Sequence, residues 1–318
     1  MIQAACDGDL NKVIRLVEKH KYDVNQQERN DGATPLSMAV YCGKGDVVQY
    51  LIGKNADINK TAYSKTPLFI ATEHGRLDMM LVLLAAGADI DKPRCDLMTP
   101  LAIAAQIGLL EVVQILVAKG ASTRAARDRR GDSGMTPLHA AAENGHVAVV
   151  DCLLEAGANL EDAFDNGVRP LWVAAARGHH LVVDSLLQKG ADMRARNDDG
   201  ESPFYAAAEG GHLAVLWRLF LSPANVEEFL ETTTTAGATP LWIASKHGHL
   251  KVVQFLVSVG GAVKDKGCCS YSRTPLMCAC EGGHLKVAEV LLGQGFRIPT
   301  KEQNRTRFWS CVGVDAID

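Results

Sequence analysis

The chain has 318 residues, 47% of them hydrophobic, 22% charged and only 6% aromatic, which is enough apolar matter for a continuous buried core. Its formal net charge of −4 argues against a general nucleic-acid binder, because affinity for phosphate rests mostly on Lys and Arg. No apolar run reaches the roughly 18–20 residues that a membrane-spanning helix needs, so direct membrane insertion is not expected.

A fixed period organises almost everything that follows. Proline recurs at 35, 67, 100, 137, 170, 203, 240 and 275, at spacings of 32, 33, 37, 33, 33, 37 and 35 residues. Most copies read Thr-Pro-Leu, as in Thr34-Pro35-Leu36 and Thr136-Pro137-Leu138. Eight residues after every one of these prolines stands a glycine, from Gly43 to Gly283. A second glycine comes twelve residues later in most copies: Gly87, Gly120, Gly157, Gly190, Gly260 and Gly295. A threonine hydroxyl caps a helix start, and proline at the first helical position gives up an N–H that has no intrahelical partner there. Glycine then ends a two-turn helix by taking positive φ without a Cβ clash. Apolar pairs such as Val47-Val48 with Leu51-Ile52, Val149-Val150 with Leu153-Leu154 and Val182-Val183 with Leu186-Leu187 predict a second helix with one buried face.

The run Met135-Thr136-Pro137-Leu138-His139-Ala140-Ala141-Ala142, followed by Gly145-His146 and Leu153-Leu154-Glu155-Ala156-Gly157-Ala158, resembles the ankyrin repeat, and the resemblance covers nearly the whole chain. It implies an all-α fold, an ankyrin-repeat solenoid of stacked helix-turn-helix units with β-hairpin or loop fingers at one edge. One unit cannot bury its apolar face alone, so stacking makes the core. The expected organisation is a single domain over 1–298. It holds a partial repeat at 1–29 and repeats at about 30–60, 61–92, 93–125, 126–162, 163–195, 196–232, 233–265 and 266–298, with a C-terminal cap or tail at 299–318.

Taken in chain order, the N-terminal segment fits if Gly8 is a helix-ending glycine. Ala4-Ala5 then match the alanine pair, and Val13, Leu16 and Val17 lie on the second-helix face. The chain is therefore expected to start inside a repeat, either as a fragment or as an array that begins on a truncated copy. Residues 1–10 have neither the basic region nor the apolar run of a secretory leader, and the expected location is cytoplasmic, with the nucleus as alternative. Asn55 stands in for the second glycine, and asparagine tolerates the left-handed conformation. Asn59, eight residues after Leu51, resembles asparagines that are hydroxylated in ankyrin arrays, which makes it a candidate for that modification.

Between Pro100 and Pro137 the long spacing holds Arg124, Arg127, Arg129 and Arg130 beside Asp128 and Asp132. This is either a solvated, self-neutralising loop or a docking point for an acidic partner. Pro223 replaces a helix-ending glycine, and the irregular finger at 221–237, with Glu227, Glu228 and Glu231, is either a bland insertion or a partner contact. After Gly295 the rhythm fades, and 299–318 carries Phe308 and Trp309 without a Thr-Pro-Leu.

Signs of chemistry are sparse. No phosphate loop, dinucleotide loop or nucleophile elbow is recognisable, so the chain is not expected to be an enzyme or to need a cofactor. His139 takes the family's Thr-Pro-Leu-His place, while His146, His179, His212, His249 and His284 each follow a helix-ending glycine, so all six belong to the scaffold. The nine cysteines fall mostly one at a time and are expected to be reduced thiols in small core positions. Cys268, Cys269, Cys278, Cys280 and His284 are the one cluster of metal-like types. Cys278 and Cys280 lie two apart on a first helix and point to different sides, which argues against zinc.

In ankyrin-like arrays the fingers and the concave face of the first helices meet the partner. The resemblance thus implies a protein partner, with no small-molecule ligand or nucleic acid expected. Counting six and seven residues past each proline gives the candidate contacts: Tyr41, Glu73, His74, Gln106, Ile107, Glu143, Asn144, Arg177, Glu209, Lys246 and His247. The residue after each Pro-Leu or its equivalent varies as Ser37, Phe69, Ala102, His139, Trp172, Tyr205, Trp242 and Met277. Trp172, Tyr205 and Trp242 either pack between first helices or form an aromatic stripe that a partner reaches. The expected function is a protein–protein interaction scaffold or adaptor. The alternative is the substrate-targeting or regulatory region of a larger enzyme, channel or ubiquitin-ligase component.

Overall fold

The computed structural model describes residues 1–28, 32–125, 134–221, 230, 233–260 and 273–297. Among them are 18 α-helices, alternating a first helix of six to eight residues with a second of nine. Helices this short are marginal in isolation, so packing against neighbouring repeats must stabilise them. Each first helix from Pro35–Tyr41 onward starts on its proline. Thr34, Thr66, Thr99, Thr136, Thr239 and Thr274 accept the N–H three residues ahead, and Ser202 does the same. Arg169 is the exception, with no side-chain cap before Pro170–Arg177.

The N-terminal segment is a helix pair, Ile2–Asp7 and Leu10–Glu18, joined at Gly8 with φ 79°. Ala4, Ala5 and Val13 are buried, while Leu16 and Val17 are half-buried. The same gradation runs through the other second helices. Val47, Val48 and Leu51 are enclosed, but Ile52 is half-buried, as are Leu154 and Leu187 at the same place. The fourth apolar residue lies farthest round the helix from the centre of the buried face. Asn55 does take the left-handed conformation, with φ 61°.

The fingers are loops. Among the described residues no strand forms, and isolated bridges pair Ala62 with Lys65 and Phe164 with Val168. No helix of the described residues is long and apolar enough to cross a membrane. Contacts gather into two compact units, Met1–Asn159 and Leu160–Asp318.

Within each unit, neighbouring repeats are tied by side chains that reach back one repeat. In the first unit His146 Nε2 lies 3.0 Å from the Gln106 carbonyl, and Arg76 Nη2 donates to the Tyr41 carbonyl at 2.8 Å. In the second, His212, His249 and His284 reach the carbonyls of Ala176, Glu209 and Lys246 at 2.9, 2.8 and 3.1 Å. A carbonyl only accepts, so Nε2 of each ring carries the proton. The expectation that these histidines are scaffold is met, and the ring explains the glycine beneath it. A Cβ on Gly211 would stand 2.6 Å from His249 Nδ1, so this position needs glycine for close approach as well as for its φ of 75°.

Cysteine usage departs from expectation at one pair. Cys6 and Cys42, 36 residues apart in sequence, form a disulfide with Cα atoms 5.4 Å apart. Stacking sets the ends of Ile2–Asp7 and Pro35–Tyr41 side by side, a proximity that residues isolated in sequence do not reveal. Cys95, Cys152 and Cys278 are free thiols.

Candidate partner-binding surface

The last turn of each first helix is its most accessible part, because the helix start is packed under the next repeat. Tyr41 is 52% exposed, and His74, Ile107, Asn144, Arg177, Lys246 and His247 are also exposed. Glu73, Gln106, Glu143 and Glu209 are half-buried one residue earlier in the turn. Arg127, Arg129, Arg130, Glu227 and Glu228, the candidate finger contacts, lie outside the described residues.

In Met1–Asn159 these residues border a groove of about 670 Å³. Met38 and Ile70 contribute apolar lining, Tyr41 and His74 meet edge to face with centroids 5.1 Å apart, and Lys65 Nζ bonds both carboxylate oxygens of Glu73 at 2.9 and 2.7 Å. Lys65 also lies 5.9 Å from the centroid of the Phe69 ring. His74 Nδ1 is 2.9 Å from the Ile70 carbonyl, which makes Nδ1 the protonated nitrogen. Tyr63, 58% exposed, also lines the groove from the finger Ala62–Lys65. Sequence reasoning singled out Tyr41, Glu73 and His74 but missed Met38, Tyr63, Lys65 and Ile70. Met38 and Ile70 share the register three residues after the proline, and Tyr63 and Lys65 lie four and two residues before Pro67, so counting six and seven residues past each proline reaches none of them.

Tyr63 and Ser64 have φ of 52° and 62°. Ala62 and Lys65 exchange backbone hydrogen bonds at 2.8 and 2.9 Å around them, closing a two-residue turn. Such a turn with both central residues left-handed is usually built from Asn-Gly, and each residue with a bulky Cβ costs about 1 kcal/mol there.

In Leu160–Asp318 the packing alternative for the aromatic positions is clearest at Tyr205. Tyr205 is only 5% exposed, and burial, with help from Glu209 and Glu201, pushes its hydroxyl pKa up. Trp242 is half-buried and its indole N–H donates to the Arg273 carbonyl at 3.0 Å, one repeat ahead. The half-buried Trp172 has an indole N–H with no hydrogen-bond partner among the described residues. The register just after Pro-Leu faces the seam between first helices, so aromatics placed there fill the seam. Phe69 and Met277, in the same register, are likewise buried.

The charged residues of this unit form a compact mixed set. Lys246 Nζ lies 5.3 Å above the Trp242 ring, and His247 Nε2 is 3.9 Å from Glu209 Oε1. Burial lowers the His247 pKa, an effect that Glu209 opposes and Lys246 reinforces. Cys278 and Cys280 are buried in Pro275–Glu281, and burial raises the Cys278 thiol to about 11. Among the described residues no group of three or more His, Cys, Asp or Glu converges as a metal site would require; Cys268 and Cys269 are outside those residues.

Asn59 is half-buried and engaged: its Oδ1 accepts the Asp89 N–H at 2.9 Å and its carbonyl accepts Lys92 Nζ at 3.0 Å. Asn25 makes the same pair of bonds one repeat earlier, with Asp57 and Lys60.

A family model described as ankyrin repeats (3 copies) matches residues 1–94, 92–163 and 204–302. A second, described as ankyrin repeats (many copies), matches residues 171–220. No curated protein matches the chain.

Proposed function

Since the chain belongs to the ankyrin repeat family, whose repeats are generally protein–protein interaction modules, we propose that it is a binding scaffold or adaptor that holds a partner protein on its first-helix ends and fingers and catalyses no reaction itself. One observation carries this reading. The accessible turn of each first helix differs in chemistry from repeat to repeat, from Tyr41 through Glu73 with His74, Ile107, Asn144 and Arg177 to Glu209 and Lys246 with His247. Beneath it the backbone is held by threonine caps and by bonds that span repeats. A varied surface on a preorganised frame favours one partner while sparing the cost of ordering it on binding.

Affinity capture from the source organism tests it, comparing the wild-type chain with a variant carrying Glu73→Ala, Arg177→Ala and Lys246→Ala. Loss of a specific set of partners is expected. Equal recovery of the same partners would remove the first-helix ends from the binding surface. Arg127, Arg129, Arg130, Glu227 and Glu228 are proposed as additional finger contacts. Asn59 is a proposed hydroxylation site, checked by a mass increase of one oxygen atom on its peptide. Asn25, with the same hydrogen bonds, is the internal control.

A further inference from the structure

We propose that the groove lined by Tyr63 seats one uncharged apolar side chain, of the leucine, methionine or phenylalanine class, from an extended segment of the partner protein, with Tyr63 as its clamp. This rests on the reading of the chain as a protein-binding array and names what one place on it recognises.

Size comes first. A groove of about 670 Å³ falls inside the range of ligand pockets, roughly 300–1,000 Å³, and holds a large side chain with its flanking peptide. Its floor suits such a guest, because Met38 is a flexible thioether that adjusts to shape and Ile70 is apolar. Tyr41 and Tyr63 stand at the opening with more than half of each exposed, the kind of rigid aromatic surface that dominates binding energy.

Charge then narrows the class. Lys65 and Glu73 are the charged residues of the lining, and each is the other's counter-ion through two short bonds. A charged guest would have to break that pair or enter without a partner of its own, and leaving a partly buried charge unpaired is costly. An uncharged guest leaves the pair intact. His74, whose Nδ1–H is spent on the Ile70 carbonyl, keeps a lone pair on Nε2 that can accept a peptide N–H from the guest's backbone.

The third argument is strain. Tyr63 and Ser64 occupy consecutive left-handed positions that Asn-Gly would fill without penalty. Residues held in such conformations cluster at ligand clamps, and here the strained pair includes an exposed tyrosine that lines the groove.

The test uses the 318-residue chain labelled with ¹⁵N and with ¹³C-methyl methionine. It is titrated separately with the N-acetyl N-methylamides of leucine, phenylalanine, aspartate and lysine. The leucine and phenylalanine probes are expected to shift Met38, Tyr41, Tyr63 and His74 saturably, and the two charged probes to bind about fivefold more weakly or worse. A second protein carries Tyr63→Asn with Ser64→Gly, which keeps the turn and removes ring and strain together. Its thermal midpoint is expected to hold or rise while leucine-probe affinity falls about fivefold. Charged probes binding as tightly as apolar ones, shifts centred elsewhere, or undiminished affinity in the double variant would each overturn the proposal. Capture that responds to the Glu73, Arg177 and Lys246 changes while the probes shift nothing in the groove sinks the groove alone. Probe binding in the groove with unaltered capture sinks the first-helix reading instead.

Discussion

Met1–Asn159 and Leu160–Asp318 are built from the same helix pair, yet aromatic residues stand differently in each. In the first unit Tyr41 and Tyr63 lie outside the stack, at a helix end and a finger tip. In the second, Tyr205 is enclosed and Trp242 is tied by its N–H to the next repeat. Residue type does not explain this, since Phe69 in the first unit is as enclosed as Tyr205 in the second. Register does. The place two residues after the proline faces the seam between repeats, and the places six and seven residues after it lie at the accessible helix end.

The largest expected effect comes from truncating one aromatic of each kind. Tyr205→Ala should destabilise the chain by about 3 kcal/mol, the cost of removing a buried aromatic ring. Tyr41→Ala should change stability by no more than about 0.5 kcal/mol, as exposed positions do. Urea unfolding followed by circular dichroism decides, and a similar loss in both variants would break the rule that register governs exposure.

A smaller effect separates two glycines in the same register. Gly75 has open space, with the Leu109 methyl carbons 3.8 and 3.9 Å from where a Cβ would lie. Gly75→Ala should therefore cost only the left-handed penalty of about 1 kcal/mol. Gly211→Ala would also push the His249 ring away from the Glu209 carbonyl, raising the cost to about 2 kcal/mol. Equal costs would mean that the ring moves freely and that the reach-back bonds contribute little.

The smallest effect is a pH dependence in the second unit. Burial lowers the His212 pKa, with the Ala176 carbonyl opposing and His249 and His179 adding to the fall. The folded form then binds fewer protons than the unfolded one. Stability is full above the unfolded histidine value of about 6.5 and is lost as pH falls through it toward the folded value. Thermal midpoints measured from pH 7.5 down to 5.5 should decline, and His212→Gln should flatten that decline. A steeper slope in the variant would show that other groups control the acid response.

Much of the fold was legible because its signals are local. Thr136 and Pro137 start a helix by bonds within three residues, and Gly8, Asn55 and Gly108 turn the chain by their own φ. The candidate site was less legible. Tyr41, Glu73 and His74 follow the period and were found by counting, but Tyr63 sits on a turn whose residues carry no turn signature, and Lys65 matters through its pairing with Glu73. For Tyr205 the sequence left packing between first helices and a reachable stripe both open, because its sequence neighbours do not show what covers it.

The sequence alone determined the period, the helix boundaries, the buried face of each second helix and the family. Each follows from steric and hydrogen-bonding preferences of residues a few positions apart. Only the tertiary structure decided that Cys6 meets Cys42, that His146 and His249 bond carbonyls of the preceding repeat, that Trp242 is anchored by its N–H, and that Tyr63, Met38 and Ile70 line one groove. Those pairings join residues as much as 40 positions apart in sequence, and stacking sets the distance between them.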